Sequence, residues 1–257
     1  MASGGPIGRA YADRVEIRGR DLSGDLMGRL SFTEFFHLLI TGDEPTEDQG
    51  FFLDVLLLSI AEHGLMPSNA TARMTLAANP GSLEGAVAAG ILGAGPVVLG
   101  ASESCALLLE KAQAVVLEGG EPARVARELA QLARDAGQRL PGFGHPVHKP
   151  VDPRAERILE LADERGVSGP HVLLARSFRD AAPEVWGKPL PMNVAMPIAA
   201  VLLDLGYPAR IAKAIPILAR TASLLAHLAD EQEHPLGFVL ASAAEQAALH
   251  APPPSAE

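Results

Sequence analysis

Apolar side chains recur at a spacing of three or four residues along most of this chain. The clearest pattern follows Pro122 and comprises Val125, Leu129, Leu132, Ala136 and Leu140. Because that spacing places the side chains on one face of a helix, it predicts an amphipathic helix over residues 122–140. Apolar and polar residues alternate only briefly, at residues 15–17, which predicts one short strand. The pattern therefore indicates an all-α fold.

Capping residues and helix breakers set the expected limits of the helices. Ser31, with Glu34 three residues later, has the sequence of a capping box, and Gly42 is placed to end that helix. The predicted helices cover residues 31–42, 46–63, 68–76, 83–92, 102–117, 122–140, 153–164, 171–180, 192–205, 209–232 and 238–249. Pro216 is expected to bend the long helix at 209–232. Residues 1–12 and 251–257 are expected to be flexible tails.

Composition narrows the class of protein. The apolar fraction is 48% and aromatic residues make up only 4%, which favours a helical globular protein. A formal charge of −10 argues against a nucleic-acid partner, since phosphates need a basic surface. The apolar runs at 88–101 and 194–203 are too short and interrupted to span a membrane. We therefore expect a soluble, cytoplasmic protein without a membrane partner. Cys105, the single cysteine, is expected to be buried and inert.

Polar residues concentrate in the loop sequence PGFGHPVHKPVDPR at residues 141–154. Its prolines fix the backbone and prevent a helix before Pro153, while Gly142 and Gly144 allow a close approach of another backbone or a ligand. The loop is therefore a rigid segment that presents His145, Lys149 and Arg154 together. An exposed connector is the simpler alternative for a single loop of this kind.

Several common kinds of site are not supported by the sequence. The histidine pairs His145/His148 and His227/His234 do not have the spacing of a zinc motif, and no cysteine pair accompanies them, so no metal is expected. No nucleophile elbow of a serine hydrolase is present. The glycines near residue 95 do not give the spacing of a dinucleotide-binding loop. His37 is expected to be a packing residue.

Cationic and imidazole side chains remain as candidates, because each lies at a break between predicted helices. These residues are His63, His145, Lys149, Arg154, Lys188 and Arg220. In an acidic chain, positive groups in such places indicate a carboxylate or phosphate ligand. Ordinary surface ion pairs are the alternative for each of them.

The ordered set of motifs resembles the citrate synthase family, and especially its short members, the citryl-CoA lyases and similar proteins. The resemblance rests on the loop at 142–154 together with shorter segments in family order, namely Glu62-His63-Gly64, Pro191-Met192-Asn193 and Arg220-Thr221-Ala222. It implies an all-helical, two-domain fold, with a large domain at 13–100 and 189–250 and a small domain at 101–188. It also implies a homodimer and a reaction between acetyl-CoA and oxaloacetate.

The resemblance also implies roles for individual residues. His145 would be the catalytic histidine that polarises the oxaloacetate carbonyl. His63, Arg154 and Arg220 would bind the substrate carboxylates. Lys149 and Lys188 would bind the phosphates of coenzyme A or acetyl-CoA. A small polycarboxylate is therefore the expected partner molecule.

Two positions of the pair that activates the acyl-CoA depart from the family pattern, and a third departure is Glu233-His234-Pro235, where the family often has an arginine that reaches into the partner's site. Val98 stands where the family has the histidine that stabilises the enolate, and Ala195 stands where it has the aspartate that acts as general base. These side chains neither donate nor accept a proton. One hypothesis is therefore an enzyme of this family that makes or breaks a C–C bond with non-standard residues. The other is a catalytically impaired, polycarboxylate-binding or regulatory protein. A purely structural role fits less well, because it leaves the cationic loop residues without a purpose.

Overall fold

The computed structural model describes residues 6–95, 99–145 and 147–250. These residues form a helical protein with a small antiparallel sheet at its start, in the order β1-β2-β3. The strands are β1 (Gly8–Ala10), β2 (Val15–Ile17) and β3 (Arg20–Asp21), and a five-residue π-helical turn, Leu22–Leu26, follows them. In β1 and β2, Gly8 pairs with Ile17 and Ala10 pairs with Val15. Strand β1 thus lies within the segment that the sequence assigned to a flexible tail.

Helices account for most of the described chain, and the prediction of an all-α fold is confirmed. They are α1 (Phe32–Thr41), α2 (Glu47–Ala61), α3 (Pro67–Ala78), α4 (Leu83–Leu92), α5 (Ala101–Leu117), α6 (Pro122–Asp135), α7 (Pro153–Glu164), α8 (Pro170–Trp186), α9 (Ala195–Asp204), α10 (Ala214–Glu233) and α11 (Gly237–Leu249). A short 3₁₀ turn, Ala209–Ile211, precedes α10. The predicted tail at 251–257 lies outside the described residues.

The first two helices begin and end where local chemistry places their limits. Ser31 accepts a hydrogen bond from the Glu34 backbone while the Glu34 side chain accepts one from the Ser31 backbone, so the predicted capping box is present. Gly42 ends α1 at a φ of 92°, a conformation that glycine adopts without a steric penalty. Thr46 and Gln49 form a second capping box at the start of α2.

Three helix predictions were wrong in extent. Helix α8 continues six residues beyond the predicted range of 171–180, to Trp186. Helix α6 ends at Asp135, and Leu132, predicted to belong to the buried stripe, is 61% exposed. Gly137 takes a φ of 67°, which turns the chain away before Leu140. Helix α10 begins at Ala214, so Pro216 lies in its first turn, where the missing N–H costs no helical hydrogen bond.

The main core surrounds α9, all of whose residues from Ala195 to Leu202 are buried. Helices α5, α7 and α8 pack against it, with Phe178 and Leu109 among the fully buried side chains. A smaller apolar cluster joins α3, α4 and α10 through Leu76, Ala86 and Leu224. The N-terminal end of α9 therefore lies in the middle of the molecule.

One stretch of the described chain, Ala209–Glu233, is long and apolar enough to cross a membrane, with a mean hydropathy of 1.3. Helix α10 within it packs against α2 and α3. It carries Arg220 and Glu231 as buried charged residues. The packing and the buried charges are those of a core helix.

Candidate active site

The loop at 141–145 is fixed by pairing with the segment that leads into α9. The Gly144 backbone N–H donates to the Pro191 carbonyl at 2.7 Å, and the Asn193 backbone N–H donates to the Gly142 carbonyl at 2.8 Å. The Asn193 side chain also donates to the Gly144 carbonyl at 3.0 Å. These bonds hold His145 beside the N-terminal end of α9.

Gly142 makes this close approach feasible. Its φ is +78°, and a Cβ atom there would lie 2.8 Å from both the Cys105 sulfur and the Met196 Cβ. Any larger residue would therefore push the loop away from α5 and α9. Cys105 itself is fully buried, as predicted, and burial raises the pKa of its thiol.

A cavity of about 900 Å³ opens next to this loop. Five of the six predicted site residues line it, namely His63, His145, Arg154, Lys188 and Arg220. Lys149 is exposed and does not line it. The cavity also contains Ala195 and Asn193 at the start of α9, and Trp186 and Lys188 at the end of α8.

The permanently charged side chains among the described residues of the cavity wall are all positive. Four cationic side chains line it, namely Arg139, Arg154, Lys188 and Arg220, and no aspartate or glutamate is among the described lining residues. Sequence reasoning missed Arg139, although its position two residues before the Pro141 loop was a signal for it. In a chain with a net charge of −10, this concentration of cations selects for an anionic ligand.

Arg220 is the most deeply buried of these cations, at 2% exposure. One Nη donates to the Asn69 side-chain oxygen at 2.9 Å and the other to the Ile60 carbonyl at 3.5 Å. Its Nε has no hydrogen-bond partner, and no carboxylate of the described residues forms a salt bridge with it. Burial accordingly lowers the pKa of the guanidinium. A buried cation without an anionic partner is costly, and a bound carboxylate would satisfy it.

Arg154 is different, because it already has an anionic partner. Its Nε and one Nη donate to the two oxygens of Asp152 at 3.0 and 2.8 Å, and Asp152 is fully buried. Asp152 also accepts from the Val194 backbone N–H at 3.2 Å, which joins α7 to the start of α9. Burial opposes ionisation of Asp152, but its bonds to Arg154 outweigh burial and lower its pKa. Arg154 therefore contributes a fixed set of donors rather than an unpaired charge.

His145 is held in one tautomer by the backbone. Its Nδ1 accepts hydrogen bonds from the N–H groups of Val147 and His148, at 3.1 and 3.0 Å. Nδ1 is therefore unprotonated, and the proton of the neutral ring is on Nε2. The Arg154 Nη that lies 3.5 Å from Nε2 is then a contact between two donors and not a hydrogen bond. Burial and the neighbouring charges of His148 and Arg154 lower the pKa of His145, which favours that neutral ring. His145 thus donates a hydrogen bond through Nε2, as polarisation of a carbonyl oxygen requires.

The structure also brings a third histidine to the pair His145/His148. The ring of His63 lies 5.3 Å from each of the other two rings, measured between centroids, and the His145 and His148 rings are 4.4 Å apart. One ring nitrogen of each histidine lies within 4.8 Å of those of the other two. Sequence spacing did not reveal this cluster, because His63 follows α2, more than eighty residues earlier. While Nδ1 of His145 accepts its two backbone bonds, the protonated Nε2 has no lone pair for a metal ion.

Of Ala195 and Val98, the two positions that lack the family's catalytic side chains, the structure describes only Ala195. Ala195, at 7% exposure, is the first residue of α9 and lines the cavity. Its methyl group supplies no proton acceptor at that place. Val98 lies outside the described residues.

Comparisons with known proteins agree with this fold and these motifs. Residues 6–236 match the family model for the citrate synthase C-terminal domain. The citrate synthase of Heyndrickxia coagulans is 32% identical over 212 residues, which are 80% of this chain and 53% of that protein. The chain thus spans about half the length of the curated relatives it matches.

Two solved structures extend the comparison. The citryl-CoA lyase of Hydrogenobacter thermophilus is 30% identical, with a TM-score of 0.78 over 90% of this chain and 86% of that one. The ATP citrate lyase of Methanothrix soehngenii, solved with citrate and coenzyme A, has a TM-score of 0.74 at 20% identity, over 91% of this chain and 39% of that one. The latter shows the fold alone. From the matched model, the shared fold and the ordered motifs, this chain belongs to the citrate synthase family.

Proposed function

We propose that the cavity binds a di- or tricarboxylate of the citrate or oxaloacetate type and that the protein makes or breaks a C–C bond in a citryl-CoA lyase-like reaction. Arg220 carries this proposal, because it is a buried cation whose described partners are all neutral. A carboxylate would neutralise the Arg220 guanidinium, and the Nε2 proton of His145 would bond the adjacent carbonyl or hydroxyl oxygen.

The exposed cations of the cavity wall suit an acyl-CoA as a second ligand. Arg139 and Lys188 are exposed cations on the cavity wall, and neither forms a salt bridge with a described residue. Trp186 and Phe143 add apolar surface to the same cavity. Phosphates of coenzyme A would pair with the two cations, and the thioester would lie towards His145. Lys149 belongs to this proposal only if the exposed loop after His148 folds over the bound nucleotide.

A catalytically impaired binding or regulatory protein is the second candidate. Ala195 favours it, because a positioned general base contributes about 10²–10⁴-fold to rate and a methyl group contributes none. In that case the same cations would retain the carboxylate, and the protein would report its concentration to a partner.

Calorimetric titration with citrate, oxaloacetate and acetyl-CoA, combined with a thiol-release assay, distinguishes the two candidates. The wild type is compared with Ala195→Asp and with Val98→His/Ala195→Asp. Turnover by the wild type excludes the binding-protein candidate. Carboxylate binding without turnover, with activity gained in the double variant, excludes the enzyme. Failure of all three ligands to bind contradicts the carboxylate site itself.

The expected oligomer is a homodimer, and the surface of one helical group supports it. Helices α3, α4, α10 and α11 pack together around the smaller apolar cluster. They leave large apolar side chains exposed, including Leu92 at 86%, Phe238 at 70% and Val239 at 61%. Light scattering after gel filtration tests the proposal, with a mass near twice 26.9 kDa expected. Phe238→Asp/Val239→Asp should shift the mass to the monomer, and an unchanged mass would place the interface elsewhere.

A further inference from the structure

The proton acceptor of the site can be sought among the described side chains that line the cavity. None of them is an aspartate or glutamate, and the arginines and the lysine are cations. Asp152, just behind the wall, has its oxygens engaged by Arg154 and the Val194 N–H and is fully buried. His145 carries its proton on the cavity side, since Nδ1 faces two N–H donors. These groups cannot take a proton from a ligand as they are arranged.

His63 is the cavity residue that remains. Its ring is partly buried, and neither ring nitrogen has a hydrogen bond to a described residue. It follows Glu62, whose carboxylate is held by the Gly64 N–H, Ser223 and His227, so the turn that carries His63 is anchored to α10. A neutral imidazole with a free lone pair, fixed in a cavity, is the requirement for a general base.

We propose that His63 is the general base of this site, a role that rests on the proposed function of carbon–carbon bond cleavage or formation. One ligand oxygen can reach His63 and His145 together. A ring nitrogen of each lies within 4.8 Å of the other, whereas two hydrogen bonds of about 2.8 Å to a shared oxygen span up to about 5.6 Å. His145 donates to that oxygen while His63 accepts its proton.

The cleavage step then balances without another reagent. His63 takes the proton of the tertiary hydroxyl of a β-hydroxyacyl thioester, and the O–H electron pair forms the carbonyl. The carbon–carbon bond breaks, and its electrons pass to the α-carbon of the thioester as an enolate. Protonated His63 returns its proton to that carbon, which gives a keto acid and an acetyl thioester. The reverse sequence forms the bond.

The charges around His63 keep it neutral and therefore available as a base. Arg154 from α7, Arg220 from α10 and His148 from the loop oppose a positive charge on it, while Asp152 favours one. Burial is the largest effect and, with these cations, lowers the pKa of His63 below its usual value. His148 contacts both other rings, and its buried Nε2 has no partner, so it acts as a positioning residue behind the pair.

The test compares His63→Gln with the wild type and with His250→Gln, a matched change at an exposed helix end. Citrate binding is measured by calorimetry, and citryl-CoA cleavage is followed from pH 5 to pH 8. His63→Gln should bind citrate within about fivefold of the wild type, because the Gln amide can still donate to the carboxylate that the family pattern assigns to His63. It should cleave citryl-CoA about 10²–10⁴-fold more slowly, because an amide cannot act as a base. His63→Gly should regain activity with added imidazole. The wild-type rate should fall on the acid side with a pKa below 6.5, and this limb should be absent in His63→Gln.

Each other outcome has a defined meaning. Cleavage by His63→Gln within threefold of the wild type overturns the role of His63. A wild type that binds citrate but does not cleave citryl-CoA also overturns it, while the carboxylate site stands. Absence of citrate binding refutes the proposed function and this role with it. Loss of cleavage in EDTA with recovery on zinc would assign the three histidines to a metal instead. An NMR titration that finds His63 protonated at pH 7 would likewise exclude it as the base.

Discussion

Arg220 and Arg154 line the same cavity but have different roles, because they differ in burial and in their hydrogen-bond partners. Arg220 is buried with neutral partners, whereas Arg154 is paired with a fully buried carboxylate. Arg220 therefore gains most from a ligand anion. Arg154 neutralises the Asp152 carboxylate, which in turn accepts from the Val194 N–H at the start of α9. The residue type alone does not separate these roles, because both side chains are permanently charged.

Arg220→Met should therefore weaken citrate binding by about 10–100-fold, the value of one or two charged hydrogen bonds. The thermal midpoint of the ligand-free protein should not fall, because the change also removes a buried, incompletely bonded cation. Calorimetry and thermal unfolding measure the two effects. Arg157→Met, on the exposed side of α7, serves as the control and should change neither. Tight citrate binding by Arg220→Met would locate the carboxylate elsewhere.

Asp152→Asn should lower the free energy of unfolding by about 3 kcal/mol at pH 7, because it breaks a buried ion pair. The folded-state pKa of Asp152 is lowered, so its stabilisation is present above the unfolded value of about 4 and is lost as pH falls through the folded value. Urea unfolding between pH 2.5 and pH 7 measures this. The acid loss of stability should be shallower in the variant than in the wild type, and equal slopes would contradict the assignment.

Helices α3, α10 and α11 are joined by a buried ionic network. Arg73 donates to Glu231 at 2.9 Å, to Asp230 and to the Nδ1 of His227, and both Arg73 and Glu231 are almost fully buried. Glu231 also accepts from the backbone N–H groups of Leu236 and Gly237, which starts α11. His227 in turn bonds Glu62, next to the proposed base. This network thus links helix packing to the cavity.

Arg73→Met should cost about 3–5 kcal/mol of unfolding free energy, because it leaves the Glu231 carboxylate buried without its cation. The double variant Arg73→Met/Glu231→Gln should recover a large part of that loss, since it removes both charges and keeps an acceptor for the Leu236 and Gly237 N–H groups. Chemical unfolding of the wild type, the two single variants and the double variant gives a double-mutant cycle, which measures the interaction energy between the two residues. Additive losses would show that Arg73 and Glu231 act separately.

At the scale of the whole molecule, an acidic protein encloses a cationic cavity. The formal charge is −10, while the described cavity wall carries four cations and no acidic side chain. Long-range repulsion of an anion by the surface therefore opposes short-range attraction in the cavity. Salt screens exposed charges over about 10 Å at 0.1 M, so Arg139 and Lys188 are weakened more than buried Arg220.

Acetyl-CoA binding should accordingly depend on salt more steeply than citrate binding. Raising KCl from 20 to 300 mM should lower the affinity for acetyl-CoA by about tenfold and the affinity for citrate by about threefold. Calorimetry at fixed pH measures both, and sucrose at matched osmolality controls for changes in water activity. A citrate affinity with the steeper dependence would place citrate on the exposed cations.

The sequence by itself determined most of the helices, because apolar spacing, capping boxes and helix-ending glycines act within one or two turns. It also identified the motifs of the family, and the ordered loop at 141–154 did so most strongly. It misjudged α6, because Leu132 continues the apolar pattern where no neighbouring helix covers it.

The tertiary structure alone decided the chemistry of the cavity. Arg220 lacks an anionic partner among the described residues, whereas Asp152 forms an ion pair with Arg154. Backbone N–H groups bond Nδ1 of His145 and so make the ring a donor through Nε2. His63 joins the other histidines although it is more than eighty residues away in sequence. Each of these facts depends on which groups surround a side chain in space, and local sequence does not specify that. The sequence thus determined which residues are available, and the fold decided which of them are free to bind a ligand or accept a proton.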